Sequence, residues 1–215
     1  LHYARQLQIK NEQVTNVVLM GMGEPFLNYD STMLAIERLM NQDGVNLGAR
    51  RFTISTAGII PGIRRFAEEH TQINLAISLH AADDDLRSKL MPINRKYPLS
   101  ELFAACFDYI QKTHRRISFE LALIHGVNDT ELQAQLLIKQ LNKFRIGGSV
   151  LCHVNIIPLN PTRKYKGQAS TASDAGAFQK YLTQAGIPCT IRLRRGIEIQ
   201  AGCGQLAEKH QNDNL

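Results

Sequence analysis

The chain has 215 residues, 44% hydrophobic and 20% charged, enough for one domain with a sizeable core. It contains no run of about eighteen apolar residues, so the sequence predicts no membrane-spanning helix. Residues 1–12 are polar and amphipathic, unlike a secretory leader, and a soluble, cytoplasmic protein is expected. A net charge of +6 and a pI near 9.3 permit an anionic partner without naming one.

In chain order, the first apolar run is Val17-Val18-Leu19-Met20, which leads straight into Gly21-Met22-Gly23-Glu24-Pro25. A β-branched and aliphatic run bounded by turn residues reads as a fully buried strand of a parallel sheet. The glycines allow a sharp turn close to a ligand, and Glu24 falls at the carboxyl end of the strand, where parallel α/β folds keep their sites. A helical pattern follows over residues 32–40, with Met33, Leu34, Ile36, Leu39 and Met40 apolar. The run at 51–54 ends in Ser55-Thr56-Ala57-Gly58, and the run at 73–77 ends in Ser78-Leu79-His80. Leu102, Phe103, Cys106, Phe107 and Ile110 have helical spacing. The run at 117–124 then ends in His125-Gly126-Val127-Asn128-Asp129. Leu132, Leu136, Leu137 and Leu141 mark another helix, and the run at 150–157 ends in Pro158-Leu159-Asn160-Pro161. Residues 160–173, rich in Pro, Lys, Gly, Ser and Thr, read as a surface loop, and Phe178, Tyr181 and Leu182 as a final helix. Strands alternating with helices predict βαβ units, and ligand-type residues at each strand end predict a whole or partial barrel with its site at that rim.

The segment from Cys189 alternates apolar residues with Arg192, Arg194 and Arg195, as a half-exposed strand would, and leads to Cys203 between Gly202 and Gly204. A cysteine so flanked is approachable, and the arginines supply the positive surroundings that favour a thiolate. Cys106, on an apolar helix face, and Cys152, inside a strand, read as small core residues. The four cysteines include no Cys-x-x-Cys pair, so neither a zinc site nor a disulfide framework is expected. Arginine pairs at 50–51, 64–65, 115–116 and 194–195, with Arg163, Lys164, Lys166 and Arg192, make the last third basic and suit RNA or a nucleotide.

Seven motifs, taken in order, carry a family resemblance: Gly-Met-Gly-Glu-Pro (21–25), Ser-Thr-Ala-Gly (55–58), Ile-Ser-Leu-His-Ala (77–81), Leu-Met-Pro-Ile-Asn (90–94), Gly-Val-Asn-Asp (126–129), Asn-Ile-Ile-Pro-Leu-Asn-Pro (155–161) and Cys-Gly-Gln-Leu (203–206). Together they resemble the RlmN/Cfr family, radical S-adenosylmethionine (SAM) methyltransferases that act on an adenosine of 23S ribosomal RNA. The resemblance runs from about Val14 to Leu206. It implies an α/β fold, a partial (β/α) TIM-like barrel of the radical SAM type lacking its first strand, over residues 1–207, with a polar tail at 208–215. The family's cluster loop, Cys-x-x-x-Cys-x-x-Cys, has no counterpart here, and alanine is usual where Gly202 stands.

The resemblance further implies that SAM is held by Gly23 and Glu24, which face its amino group, and by Ser55, Ser78, Leu79, His80 and Asn160. It implies that Cys203 is the cysteine that is methylated and passes the carbon on by a radical route. It implies a [4Fe–4S] cluster in the complete enzyme whose ligands are not in this chain. The implied partners are 23S rRNA, tRNA as a further substrate, and an electron donor such as flavodoxin, with a monomeric enzyme. Carbon 2 of the adenosine is the favoured target, carbon 8 the alternative. A non-catalytic SAM- or RNA-binding module and an aldolase-like barrel are the readings from other classes. The aldolase would want a buried lysine or metal-binding carboxylates at strand ends, and neither is read from the sequence.

Overall fold

The structure, a computed structural model, describes residues 6–7, 9–43, 45–69, 72–159 and 167–192. Six strands form one sheet: β1 (Val17–Leu19), β2 (Phe52–Thr56), β3 (Asn74–Ser78), β4 (Ile117–Leu123), β7 (Cys152–Pro158) and β8 (Cys189–Ile191). They lie side by side in that order and every pair is parallel. The connections carry α1 (Tyr29–Met40), α2 (Ile60–Glu69), α3 (Asp84–Leu90), α4 (Leu99–Thr113), α5 (Glu131–Leu141) and α6 (Ala172–Gln184). Strictly parallel strands need such crossovers, because a tight hairpin can only join antiparallel neighbours. The sheet is therefore an open (β/α) array, as the sequence predicts, with β1 and β8 at its edges among the described residues.

Helix starts are set locally. Asp83, Thr130 and Thr171 cap α3, α5 and α6, their side-chain oxygens accepting from the backbone N–H groups of Leu86, Gln133 and Asp174. The chain leaves α4 through His114 in the left-handed region, φ 52°.

Helices cover one face of the sheet, and the opposite face is buried only in part. Phe52 and Ile54 of β2, Leu75 and Ile77 of β3, Ile117, Phe119, Leu121 and Leu123 of β4, and Val154 and Ile156 of β7 are buried in the core. Between them Ser55, Ser78, Ser118, Ala122, His153, Asn155 and Ile157 stay half-exposed on the opposite face. Ala76 of β3 and Glu120 of β4, on that same face, are buried, whereas the fully buried strand expected at 17–20 is half-exposed. β1 departs most, with Val18 58% exposed, because it is an edge strand whose open face meets no helix.

Other boundaries shift as well. The predicted strand over 150–157 divides at Leu151, whose N–H donates to the Phe144 carbonyl, and Ser149–Val150 (β6) instead pairs antiparallel with Arg145–Ile146 (β5). The predicted loop over 160–173 is shorter, since α6 begins at Ala172. Helices α2 and α3 were not anticipated: α3 is short and polar, and α2 opens with Ile60-Pro61-Gly62, which reads as a turn.

Aromatic rings fill the layer between helices and sheet. Phe66 of α2 stacks on Tyr109 of α4 with ring centroids 6.0 Å apart, and Phe103, Phe119 and Phe144 cluster at 5.5–5.9 Å. Gly62 lets α2 lie against Phe26, because a Cβ there would come within 2.5 Å of the Phe26 Cβ. Gly62→Ala gains helix propensity but must push Phe26 aside, so a net loss of about 1–3 kcal/mol is expected in denaturant unfolding.

Candidate functional site

The carboxyl ends of all six sheet strands open onto one cavity of about 430 Å³. Gly23 and Glu24 line it from the loop after β1, Ser55 and Ser78 from β2 and β3 with Ala57 and His80 just beyond those strands, Glu120 from β4, Pro158 from β7 and Arg192 just after β8. Five of the predicted site residues, Gly23, Glu24, Ser55, Ser78 and His80, are thus brought together. Leu79 is not on the wall: its side chain is fully buried in the core. Asn160 and Cys203 lie outside the described residues.

Glu24 ties two strand ends together. Its Oε1 accepts from the N–H of Phe26 at 3.2 Å, capping a short 3-10 turn, and its Oε2 accepts from the N–H of Ala57 at 2.7 Å, across from β1 to β2. Each oxygen retains a lone pair for a donor in the cavity.

His80 sits in the left-handed region, φ 58°, which turns the chain over the end of β3. Its Nδ1 accepts from the N–H of Ala122 at 3.0 Å, so the neutral ring carries its proton on Nε2 and offers a donor. Burial, with the Arg87 guanidinium nearby, brings its pKa down from 6.5 to about 4. Asn128, itself buried, holds the turn: its amide donates to the carbonyls of His80 at 2.8 Å and Ala122 at 2.7 Å, and accepts from the N–H of Ile124.

Arg87 lies behind the cavity wall, fully buried. Its guanidinium donates to the carbonyls of Ala57 at 2.8 Å, Ser78 at 3.2 Å and Leu79 at 3.1 Å, and to Asn94 Oδ1 at 2.8 Å. Asn94 in turn donates to the Asp84 carboxylate at 2.8 Å. Burial pulls the guanidinium down to about 10 while Asp84 draws it back up, so it stays charged at neutral pH. Gly58, at φ +106°, leaves room for this group: a Cβ there would meet Arg87 Nη2 at 3.3 Å.

Glu120, only 4% exposed, was missed in the sequence because it sits inside an apolar run. Its Oε1 accepts from Asn155 Nδ2 at 2.8 Å and lies 3.5 Å from Arg192 Nη2. Burial raises its pKa, against the pull of Asn155 and Arg192. Arg87 and Asn94 were missed for a related reason: nothing in a short polar stretch announces that it turns inward.

Among the described residues the basic pairs do not converge on this rim; Arg163, Lys164, Lys166, Arg194 and Arg195 lie outside the described residues. Arg50 and Arg51 precede β2 and Arg115 and Arg116 precede β4, at the opposite end of the strands, where Arg50 bonds Gln72 and Arg115 bonds Asn74. Of the described arginines at the strand ends, Arg192 alone lines the cavity. No helix among the described residues is long and apolar enough to cross a membrane.

A parallel (β/α) array with a polar cavity at the carboxyl ends of its strands defines the class, and sequence comparison gives it a family. The signature of the Radical SAM superfamily matches residues 1–136, and the chain belongs to that superfamily. Within it, the chain is similar to the "Probable dual-specificity RNA methyltransferase RlmN" of Chloroflexus aurantiacus, 52% identical over 198 residues, 92% of this chain and 53% of that protein. It is 48% identical to the "Dual-specificity RNA methyltransferase RlmN 1" of Myxococcus xanthus over 206 residues, 96% of this chain and 56% of that one. The fold matches the crystal structure of a radical SAM methyltransferase from Sphaerobacter thermophilus with a TM-score of 0.88 at 47% identity, covering 95% of this chain and 58% of the other. The chain thus spans about half the length of the curated relatives it matches.

The family implies SAM and a [4Fe–4S] cluster. The cavity suits SAM: a carboxylate for an ammonium, an imidazole N–H and hydroxyls for polar edges, and a buried Glu120 oxygen without a partner among the described residues. The described cysteines do not suit a cluster. Cys106, Cys152 and Cys189 are buried, and burial pushes their thiols up, the last two to about 12, whereas cluster iron needs thiolates. The group of metal-type ligands found among the described residues is His125, Asp129 and Asp174, which contains no cysteine.

Two measurements check this account. Arg87→Met takes their donor from three carbonyls and from Asn94 Oδ1 in the interior, and should cost about 3–5 kcal/mol in urea unfolding. His80 binds its proton less readily folded than unfolded, so its stabilising effect is complete above about pH 6.5 and declines as pH falls toward about 4. His80→Asn retains an acceptor for Ala122 and tolerates the left-handed turn. Its urea midpoint should therefore drop less than that of the wild type between pH 7 and pH 5.

Proposed function

We propose that this chain is the SAM-binding and methyl-carrying part of an RNA methyltransferase, directed at carbon 2 of an adenosine in 23S rRNA and acting also on tRNA. The observation that carries the reading is the convergence of Gly23, Glu24, Ser55, Ser78 and His80 on one cavity. The printed names of the relatives, RNA methyltransferases similar over more than nine-tenths of this chain, support it.

SAM, when bound, supplies an activated methyl group. On this reading Glu24 faces its ammonium in a charge-assisted bond. Ser55 and Ser78 orient it through their hydroxyls, His80 donates from Nε2–H, and Asn160 completes the set. Cys203 carries the methyl on its sulfur, its thiolate favoured by the arginines at 192, 194 and 195. The target adenine must leave its stack to reach the cavity mouth. The cluster's ligands and the reducing partner, flavodoxin or its equivalent, are supplied from outside these residues. The enzyme works in the cytoplasm as a monomer, and carbon 8 is the alternative target.

The 215-residue chain should bind S-adenosylhomocysteine in calorimetry at one molecule per chain, and Glu24→Gln should weaken it at least tenfold. Absence of binding would overturn the reading. Alone, the chain should take up no iron–sulfur cluster on anaerobic reconstitution and methylate no RNA. Extended to include a Cys-x-x-x-Cys-x-x-Cys loop, it should label adenosine carbon 2, with the methyl found on the Cys203 peptide by mass spectrometry and activity lost in Cys203→Ala. A methyl on another cysteine would refute the assignment.

A further inference from the structure

A row of polar side chains crosses the open face of the sheet at one level. Ser78 is the register partner of Glu120, Glu120 of Asn155, and Asn155 of Thr190. Hydrogen bonds link the row from the β8 side: Thr190 Oγ1 donates to Asn155 Oδ1 at 2.9 Å, and Asn155 Nδ2 donates to Glu120 Oε1 at 2.8 Å. Arg192, 3.5 Å from the same Glu120 oxygen, adds positive charge on that side. The row fixes the carboxylate in place but uses only one of its oxygens. Oε2 is buried and takes no hydrogen bond among the described residues, although Glu120 lines the cavity. A buried carboxylate oxygen left without a donor is costly, and Asn155 and Arg192, on the β8 side, are engaged with Oε1.

The position of this oxygen indicates what it serves. Glu24 follows β1 and Glu120 lies in β4, three strand spacings away, or roughly 14 Å at ~4.8 Å per strand. Both residues line the same cavity, so a molecule of that length whose ammonium meets Glu24 can present its other end to Glu120. For the SAM-type ligand of the proposed function, on which this inference rests, that end is the nucleoside. A nucleoside offers the carboxylate two kinds of donor, ribose O–H and the adenine amine.

We propose that Glu120 is a ligand-contacting residue that recognises the nucleoside end of the bound molecule, its Oε2 accepting a hydrogen bond from a nucleoside donor while Asn155 holds Oε1. The test is calorimetric titration of the full 215-residue chain with S-adenosylhomocysteine, 5′-methylthioadenosine, the 2′,3′-dideoxy form of the latter, and its inosine counterpart. Glu120→Gln keeps an acceptor for Asn155 but turns an N–H toward the ligand. It should weaken both S-adenosylhomocysteine and methylthioadenosine at least tenfold. The penalty should shrink below twofold for the dideoxy probe if the donor is a ribose hydroxyl, or for the inosine probe if it is the amine. Glu120→Asp, which withdraws the charge by one methylene, should show the same pattern and serves if the amide variant does not fold. Wild-type affinity in Glu120→Gln, or an equal penalty for all the nucleosides, would overturn the inference and leave the SAM site standing. Failure of the wild-type chain to bind S-adenosylhomocysteine would overturn both.

Discussion

Arg87 is a cation placed where there is no water, and the rim of the sheet is arranged around it. The carbonyls at the ends of β2 and β3 point past the last ladder bonds, and each would be an unpaired acceptor without a donor from the crossover. One planar guanidinium reaches Ala57, Ser78 and Leu79 at once and is steadied by Asn94 and, behind it, Asp84. A lysine could not do this, since a single ammonium lacks the fork of donors. The two chain ends joined in this way carry Ser78 and His80, together with the Ala57 amide that Glu24 holds. The cavity wall is therefore braced from behind by a group that never faces it.

A second constraint is that helices cover one face of the sheet only. The covered face takes Phe, Ile, Leu and Val, and the open face takes Ser, Ala, Asn, His and Glu. A closed barrel of eight strands fills its interior with bulky side chains. The six strands among the described residues instead carry small and polar side chains on the face that no helix covers, which leaves space for a ligand at the strand ends.

The motifs that carried the family resemblance divide between two jobs. Glu24, Ser55, Ser78 and His80 face the cavity. Asn94, Asn128 and Gly58, in the same motifs, do not: Asn94 steadies Arg87, Asn128 clamps the His80 turn, and Gly58 leaves room for the guanidinium. A short motif is silent on which of its polar residues point at a ligand and which satisfy backbone groups, since both tasks use the same side chains. Glu120 shows the converse. It belongs to no turn cluster, and its run of apolar neighbours reads as core, yet the strand's alternation sends it to the open face.

From the sequence alone, the order of the sheet strands, the crossover helices α1, α4, α5 and α6, the parallel class and the core roles of Cys106 and Cys152 were determined, and the strand ends it pointed to are where the cavity opens. These follow from local periodicity and turn chemistry, which act within a few residues. The face each strand leaves open, the division of residues 149–158 into hairpin and strand, the inward turn of Arg87 and the isolated oxygen of Glu120 were decided only by the tertiary structure. Each depends on what stands opposite in space: Arg87 meets carbonyls 8 and 30 residues away in sequence, and Glu120 meets Asn155 at a separation of 35. Periodicity cannot specify such partners. Packing the crossovers onto one side of the sheet does, because that step determines which polar atoms lose water and must find one another.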